Sequence, residues 1–142
     1  MSYYMCLKCG QIFSTDADLT GRHSYYGVCP KVGCEGKIFE CDEEMLLPMW
    51  ILNKKGYRTE FCCSGHAFKK LCCGYIEFSE ELGDVSAPKG WYLDKKDGIF
   101  KNRIIRYRIN DPDVAVRQRG IHRKIDNLIK WCKELPEKEG SK

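Results

Sequence analysis

Four cysteines in two close pairs, Cys6-x2-Cys9 and Cys29-x4-Cys34, constrain this chain more than any other feature. A Cys-x2-Cys turn lets two thiolates converge on one ion, with backbone N–H groups pointing at the sulfurs. The second pair encloses Pro30 and Gly33, which suit a tight knuckle. Four thiolates in a tetrahedral array make a saturated structural zinc site, closed to substrate. Residues 1–41 are too few to hold a core alone, so the metal supplies folding free energy there. Free buried thiols are the plainer alternative. An iron–sulfur cluster is disfavoured, because no third closely spaced cysteine accompanies either pair.

The chain holds ten cysteines in 142 residues, 43% of them apolar and 31% charged. That balance excludes a disordered polar chain. The longest apolar run, Met45 to Leu52, is too short for a membrane span and contains Pro48, so no membrane partner is expected. Residues 1–20 lack a charged-then-apolar leader, and a cytoplasmic location is expected. In a reducing compartment the cysteines are read as ligands or packed thiols rather than disulfides.

Hydrophobic patterning places an α+β domain behind the zinc ribbon: a small, mostly antiparallel sheet packed against two helices, over residues 42–135, with 136–142 as a flexible tail. Asp42 caps the first helix, with Glu43 and Glu44 in its first turn and Gly56 as its stop, although Pro48 is awkward inside it. Strands are expected over 57–63 and 74–79. A hairpin then joins 91–93 to 99–109 through Asp97-Gly98. Asp111-Pro112 starts the last helix, whose buried stripe is Val114, Ile121, Ile125, Leu128, Cys132 and Leu135. Cys41 and Cys132 are assigned to the core.

The stretch Cys62-Cys63-Ser64-Gly65-His66 can present a hydroxyl, backbone N–H groups and an imidazole where a strand ends. Glycine permits close approach to a ligand, and consecutive N–H groups in a turn cradle an anion. Lys69 stands at the rim of the same loop. An ordinary hairpin connection accounts equally for Ser-Gly. His66 lies three residues from Cys63, but sequence proximity does not make a nucleophilic pair, and a second metal site around Cys62, Cys63, His66, Cys72 and Cys73 is left open. Vicinal cysteines in a strand point to opposite faces, so only one of each pair can serve the loop.

The segment Asn53-Lys54-Lys55-Gly56-Tyr57 through Cys62-Cys63-Ser64-Gly65-His66, followed by Tyr75-Ile76-Glu77-Phe78, resembles small zinc-ribbon proteins of phages and Firmicutes. The resemblance covers residues 1–92 and implies a zinc-bound fold without an assigned activity. In a phage-like setting it is compatible with a sponge that sequesters a nucleotide immune signal. A fainter similarity, over Cys63-Ser64-Gly65, is to the wybutosine-type tRNA methyltransferase family, with His66 where that family has arginine.

Charge is unevenly placed. Residues 99–142 carry twelve Lys and Arg against six Asp and Glu, although the whole chain is only +4. Lys101, Arg103, Arg106 and Arg108 fall in one expected strand, read as an edge because alternation puts charge on both its faces. Arg119, Arg123, Lys130 and Lys133 stripe the last helix. Trp91, Tyr92, Tyr25 and Tyr26 are candidates for stacking on a base, although aromatics in a small domain are mostly packing residues.

The favoured function is therefore non-enzymatic binding of a phosphate-bearing small ligand, a nucleotide, through Ser64, Gly65, His66, Lys69, Trp91, Arg103, Arg106 and Arg108. The alternatives are nucleic-acid binding by the basic last third, and a nucleotide- or RNA-modifying enzyme using His66. No carboxylate pair, nucleophile elbow or phosphate-binding glycine loop supports catalysis, and assembly into a homo-oligomer is left open.

Overall fold

The computed structural model describes residues 2–14, 29, 31–94 and 102–138. It divides into two compact units, Met1–Leu46 and Leu47–Lys142, and the chain as a whole is α+β.

The first unit is a three-stranded antiparallel sheet in the order β2-β1-β3, from β1 (Ser2–Cys6), β2 (Ile12–Ser14) and β3 (Ile38–Asp42). Its register sets Met5 opposite Ile12 and Phe39. Cys6, Cys29, Cys34 and Ile38 form a buried cluster, with Tyr4 and Phe13 packed against it. Sulfur thus occupies much of the space that aliphatic side chains would fill in a larger domain.

The expected first helix starts late. Asp42 has the extended backbone of a cap but makes no side-chain cap bond, and Glu43–Met45 form a single 3-10 turn. The α-helix α1 follows at Leu46–Lys54. This places Pro48 within the first turn of α1, where its missing N–H has no intrahelical partner to lose.

The second unit holds a four-stranded antiparallel sheet in the order β4-β5-β7-β6. Its strands are β4 (Thr59–Cys63), β5 (Leu71–Phe78), β6 (Tyr92–Leu93) and β7 (Ile104–Asn110). Strand β5 begins earlier than expected because Leu71, Cys72 and Cys73 continue its ladder with Asn110, Ile109 and Arg108. The hairpin joins β6 to β7, with Tyr92 opposite Arg106 and Leu93 opposite Ile105; the Asp97-Gly98 turn lies outside the described residues.

Helix α2 (Val114–Glu134) covers one face of this sheet. Asp113, not Asp111, is its cap: an Asp113 carboxylate oxygen accepts the Ala115 N–H, while Asp111 accepts the Asp113 N–H one step earlier. Pro112 therefore precedes the helix. The expected stripe is buried from Ile121 to Leu135, but Val114 is 55% exposed and Arg117 takes the inward place in that first part. Gly120 does not interrupt the helix. A Cβ there would stand 2.7 Å from Ile109 Cδ1, so glycine permits the close approach of α2 to β7. Ile76, Phe78, Ile105, Tyr107 and Leu128 are almost wholly buried, each such side chain contributing about 1.5–3 kcal/mol.

The chain does not leave the fold at Leu135. Pro136 accepts a hydrogen bond from the Tyr57 hydroxyl, and the Lys138 N–H donates to the Lys55 carbonyl. The remainder of the expected tail lies outside the described residues. Among the described residues, no helix is long and apolar enough to cross a membrane.

Candidate metal centre and an open sheet face

The two cysteine pairs converge. Cys6 Sγ lies 3.6 Å from Cys34 Sγ and Cys9 Sγ 3.8 Å from Cys29 Sγ, and all four sulfurs fall within 4.8 Å of one another. Four sulfurs bound at about 2.3 Å to one tetrahedral ion stand about 3.8 Å apart, so the set has the size of a metal centre. Cys6 accepts from the N–H groups of Lys8 and Cys9, both at 3.4 Å, and Cys29 accepts from that of Lys31 at 3.5 Å. These are the knuckle contacts the spacing implies. Gly36 was not singled out in the sequence, yet a Cβ there would lie 2.7 Å from Cys6 Sγ.

The four thiols interact electrostatically. Burial would raise the Cys6 thiol, but the N–H groups of Cys9 and Lys8 outweigh it and bring it down to about 7. Cys29 is pushed up to about 12, by burial first and then by the other thiols, against the Lys31 N–H. One sulfur can ionise readily, while the next resists. Full ionisation needs a positive ion among them. Cys6, Cys29 and Cys34 are buried and Cys9 is exposed, so three of the four ligand residues are withdrawn from solvent. Among the described residues it is the only group of three or more His, Cys, Asp or Glu side chains close enough to share an ion.

The remaining cysteines divide by strand alternation. Cys41, Cys72 and Cys132 are buried, and burial raises Cys72 above its usual range. Cys62 sits opposite Ile76 on the helix-covered side, and Cys63 sits opposite Tyr75 on the other.

That other face is the second feature. In register, one row crosses all four strands: Cys63 on β4, Tyr75 on β5, Arg106 on β7 and Tyr92 on β6. The Arg108 guanidinium carbon lies 6.0 Å from the centre of the Tyr92 ring, within cation–π reach, and Tyr92 is 41% exposed. Phe61 is 60% exposed. Arg106 makes a 3.5 Å ion pair with Asp94. Burial raises the Tyr75 hydroxyl above its usual range, with Arg106 pulling the other way.

Strand β7 is not the edge expected from its charges. It runs between β5 and β6 and begins at Ile104, so Arg106 and Arg108 share one face and Arg103 precedes the strand. Arg103 Nε donates to the Phe78 carbonyl at 3.2 Å, and Lys101 lies outside the described residues, as do Tyr25 and Tyr26.

The Ser-Gly-His loop is anchored rather than open. Ser64 is 5% exposed, and its carbonyl accepts the Tyr107 hydroxyl. Gly65 has φ +101°, while His66 and Lys69 are exposed. The His66 Nε2 lies 3.6 Å from Cys63 Sγ. Trp91 is 7% exposed, packs edge-on against Tyr107 at 4.9 Å and donates its indole N–H to the Lys124 carbonyl. The exposed aromatic of that hairpin is therefore Tyr92. Where Asn110 and Asp111 meet α2, a cleft of about 400 Å³ is lined by Arg119, Gly120 and Arg123.

No family model, curated protein or solved structure matches the chain.

Proposed function

We propose that the chain is a non-enzymatic binding protein, stapled at its head by zinc, that takes a phosphate-bearing ligand with an aromatic base on the open face of its second sheet. The observation that carries this reading is the set Tyr92, Arg106 and Arg108. A base stacks on the tyrosine, and guanidinium groups beside it meet phosphate in the paired geometry that favours arginine over lysine. Zinc is chosen because an all-thiolate, closed tetrahedral set is its usual structural site.

This reading shifts the site from the Ser64–His66 loop to the neighbouring face and leaves His66 and Lys69 at its border. Sequestering a nucleotide signal is the role this reading gives the chain. Calorimetry of the zinc-loaded chain against mono- and cyclic dinucleotides tests it. Tyr92→Ala and Arg108→Gln should each weaken binding about tenfold, the scale of one stacking or cation–π contact. No heat across the panel would end the reading.

Nucleic-acid binding is the second reading, favoured by the cleft at Arg119 and Arg123 and by the exposed Lys130 and Lys133 further along α2. It requires salt-sensitive retention of RNA or DNA in a gel, lost on Arg119→Gln with Arg123→Gln.

A further inference from the structure

Strand β4 ends at Cys63, and the three residues after it bring an imidazole back onto its sulfur. Cys63 Sγ and His66 Nε2 stand 3.6 Å apart. One backbone angle and three contacts hold that return. Gly65 adopts φ +101°, a left-handed turn open to glycine but strained for other residues. The Tyr107 hydroxyl fixes the Ser64 carbonyl from below. The Lys69 N–H donates to the His66 carbonyl at 3.1 Å, and the Phe68 ring lies 5.2 Å from the imidazole. The histidine is thereby kept within proton-transfer reach of the thiol, a separation that shortens when a reactant arrives.

We propose that Cys63 is a nucleophilic thiol with His66 as its base, and that its electrophile is a small anionic one. In the step, the thiol proton moves from Sγ to Nε2 of neutral His66 as sulfur forms a bond to the electrophilic carbon. The bond from that carbon to the leaving group breaks, and the leaving group departs with its electron pair. The imidazolium then returns its proton to water. The preference for an anion comes from the same face of the sheet, in which Arg106, paired with Asp94 at 3.5 Å, lies one strand beyond Tyr75, the residue opposite Cys63, and Arg108 lies beside it on the strand.

The other thiols give a demanding internal control. Cys73 is the more exposed of the two and faces Arg108 across the β5–β7 ladder, but among the described residues no imidazole is hydrogen-bonded to it. If exposure and a nearby arginine governed reactivity, Cys73 would react first. If the imidazole governs it, Cys63 does.

The experiment treats the metal-loaded full chain with less than one equivalent of iodoacetamide or iodoacetate and maps the labelled cysteine by mass spectrometry. With the neutral reagent, Cys63 should label about fivefold or more ahead of Cys73, and His66→Gln should slow it about tenfold while Cys73 is unchanged. With the anionic reagent, Arg106→Gln should slow Cys63 about threefold or more beyond any slowing it causes with iodoacetamide. Labelling of Cys73 first in the unaltered chain, or a Cys63 rate within twofold in His66→Gln, overturns the nucleophile. An unchanged ratio of iodoacetate to iodoacetamide rates in Arg106→Gln overturns the anionic preference alone. None of these readouts needs a nucleotide, so the thiol and the proposed ligand face fail or stand separately.

Discussion

The Tyr107 hydroxyl donates its hydrogen bond to the Ser64 carbonyl while its ring fills the space that side chains at Gly65 and Gly74 would occupy. The ring is wholly buried and lies across its cross-strand partner Gly74, so a core aromatic locks the loop that carries His66. Tyr107→Phe should lower stability by about 1 kcal/mol, one hydrogen bond with the carbonyl left buried. Gly74→Ala should lower it by about 1–3 kcal/mol, because the ring must move. Gly65→Ala should lose at least as much, since it adds the strain of a positive φ. Urea titration of the three variants checks the order.

The four sulfurs predict a folding response to metal. Zinc should bind one to one. Chelation should release four thiols that react rapidly and should loosen Met1–Leu46, with far less change in Leu47–Lys142. Cys6→Ser should abolish tight binding, because it removes the sulfur best supported by N–H donors. Because binding displaces protons from thiols, affinity should fall as pH falls, and a pH titration of bound metal reads the sign. Metal content equal in the unaltered chain and Cys6→Ser would count against the centre.

Much of this arrangement is legible in the sequence where the determinants are local. Ligand spacing announces the Cys6, Cys9, Cys29 and Cys34 set, and the opposite facing of vicinal cysteines is legible, but which of Cys72 and Cys73 turns inward depends on β5 starting at Leu71. Contacts between distant segments are not announced. Nothing near Gly36 indicates that its Cα must pass the Cys6 sulfur, and nothing near Arg117 indicates an inward-facing arginine. The row from Cys63 to Tyr92 requires the register of four strands. Residue spacing allows the Cys63–His66 pair, but only the turn at Gly65 makes it.

Arg117 shows what such a missed residue does. Its Nε donates to the Ala67 carbonyl at 2.6 Å and one terminal nitrogen donates to the Asp111 carbonyl at 2.7 Å, tying α2 to the loop after β4 and to the end of β7. Arg117→Met keeps much of the apolar stem but leaves both carbonyls unmet, and should cost about 2–4 kcal/mol. Hydrogen exchange should rise first in residues 64–70. A loss below about 0.5 kcal/mol would mean that water replaces the guanidinium.

Lys55 performs a related task at the other end of the same helix. Its ammonium donates to the carbonyls of Cys132, Lys133 and Leu135 at 2.9, 2.8 and 2.5 Å, placing a cation at the negative end of α2 and tying α1 to it. Lys55→Met should lower stability by about 1–3 kcal/mol. Much of the loss should persist at high salt, because the bonds to Cys132 and Leu135 are partly buried and resist screening.

Cys132, whose carbonyl Lys55 holds, predicts alkaline instability. Burial pushes its thiol from an ordinary 9.0 up to about 12, although the Lys55 charge pulls it down. The folded value lies above the unfolded one, so the stabilisation is fully present below pH 9. It is lost as pH rises from there toward 12, because only the unfolded chain releases the proton. The slope from this group is at most about 1.4 kcal/mol per pH unit. Tyr75 and Cys72 are raised as well and add slopes of the same sign, so total alkaline unfolding does not isolate Cys132. Cys132→Ala does. It should be less stable than the unaltered chain near neutrality, by about 1 kcal/mol for the small cavity, and should lose stability less steeply above pH 9. Two parallel stability curves between pH 9 and 11 would remove Cys132 as the cause.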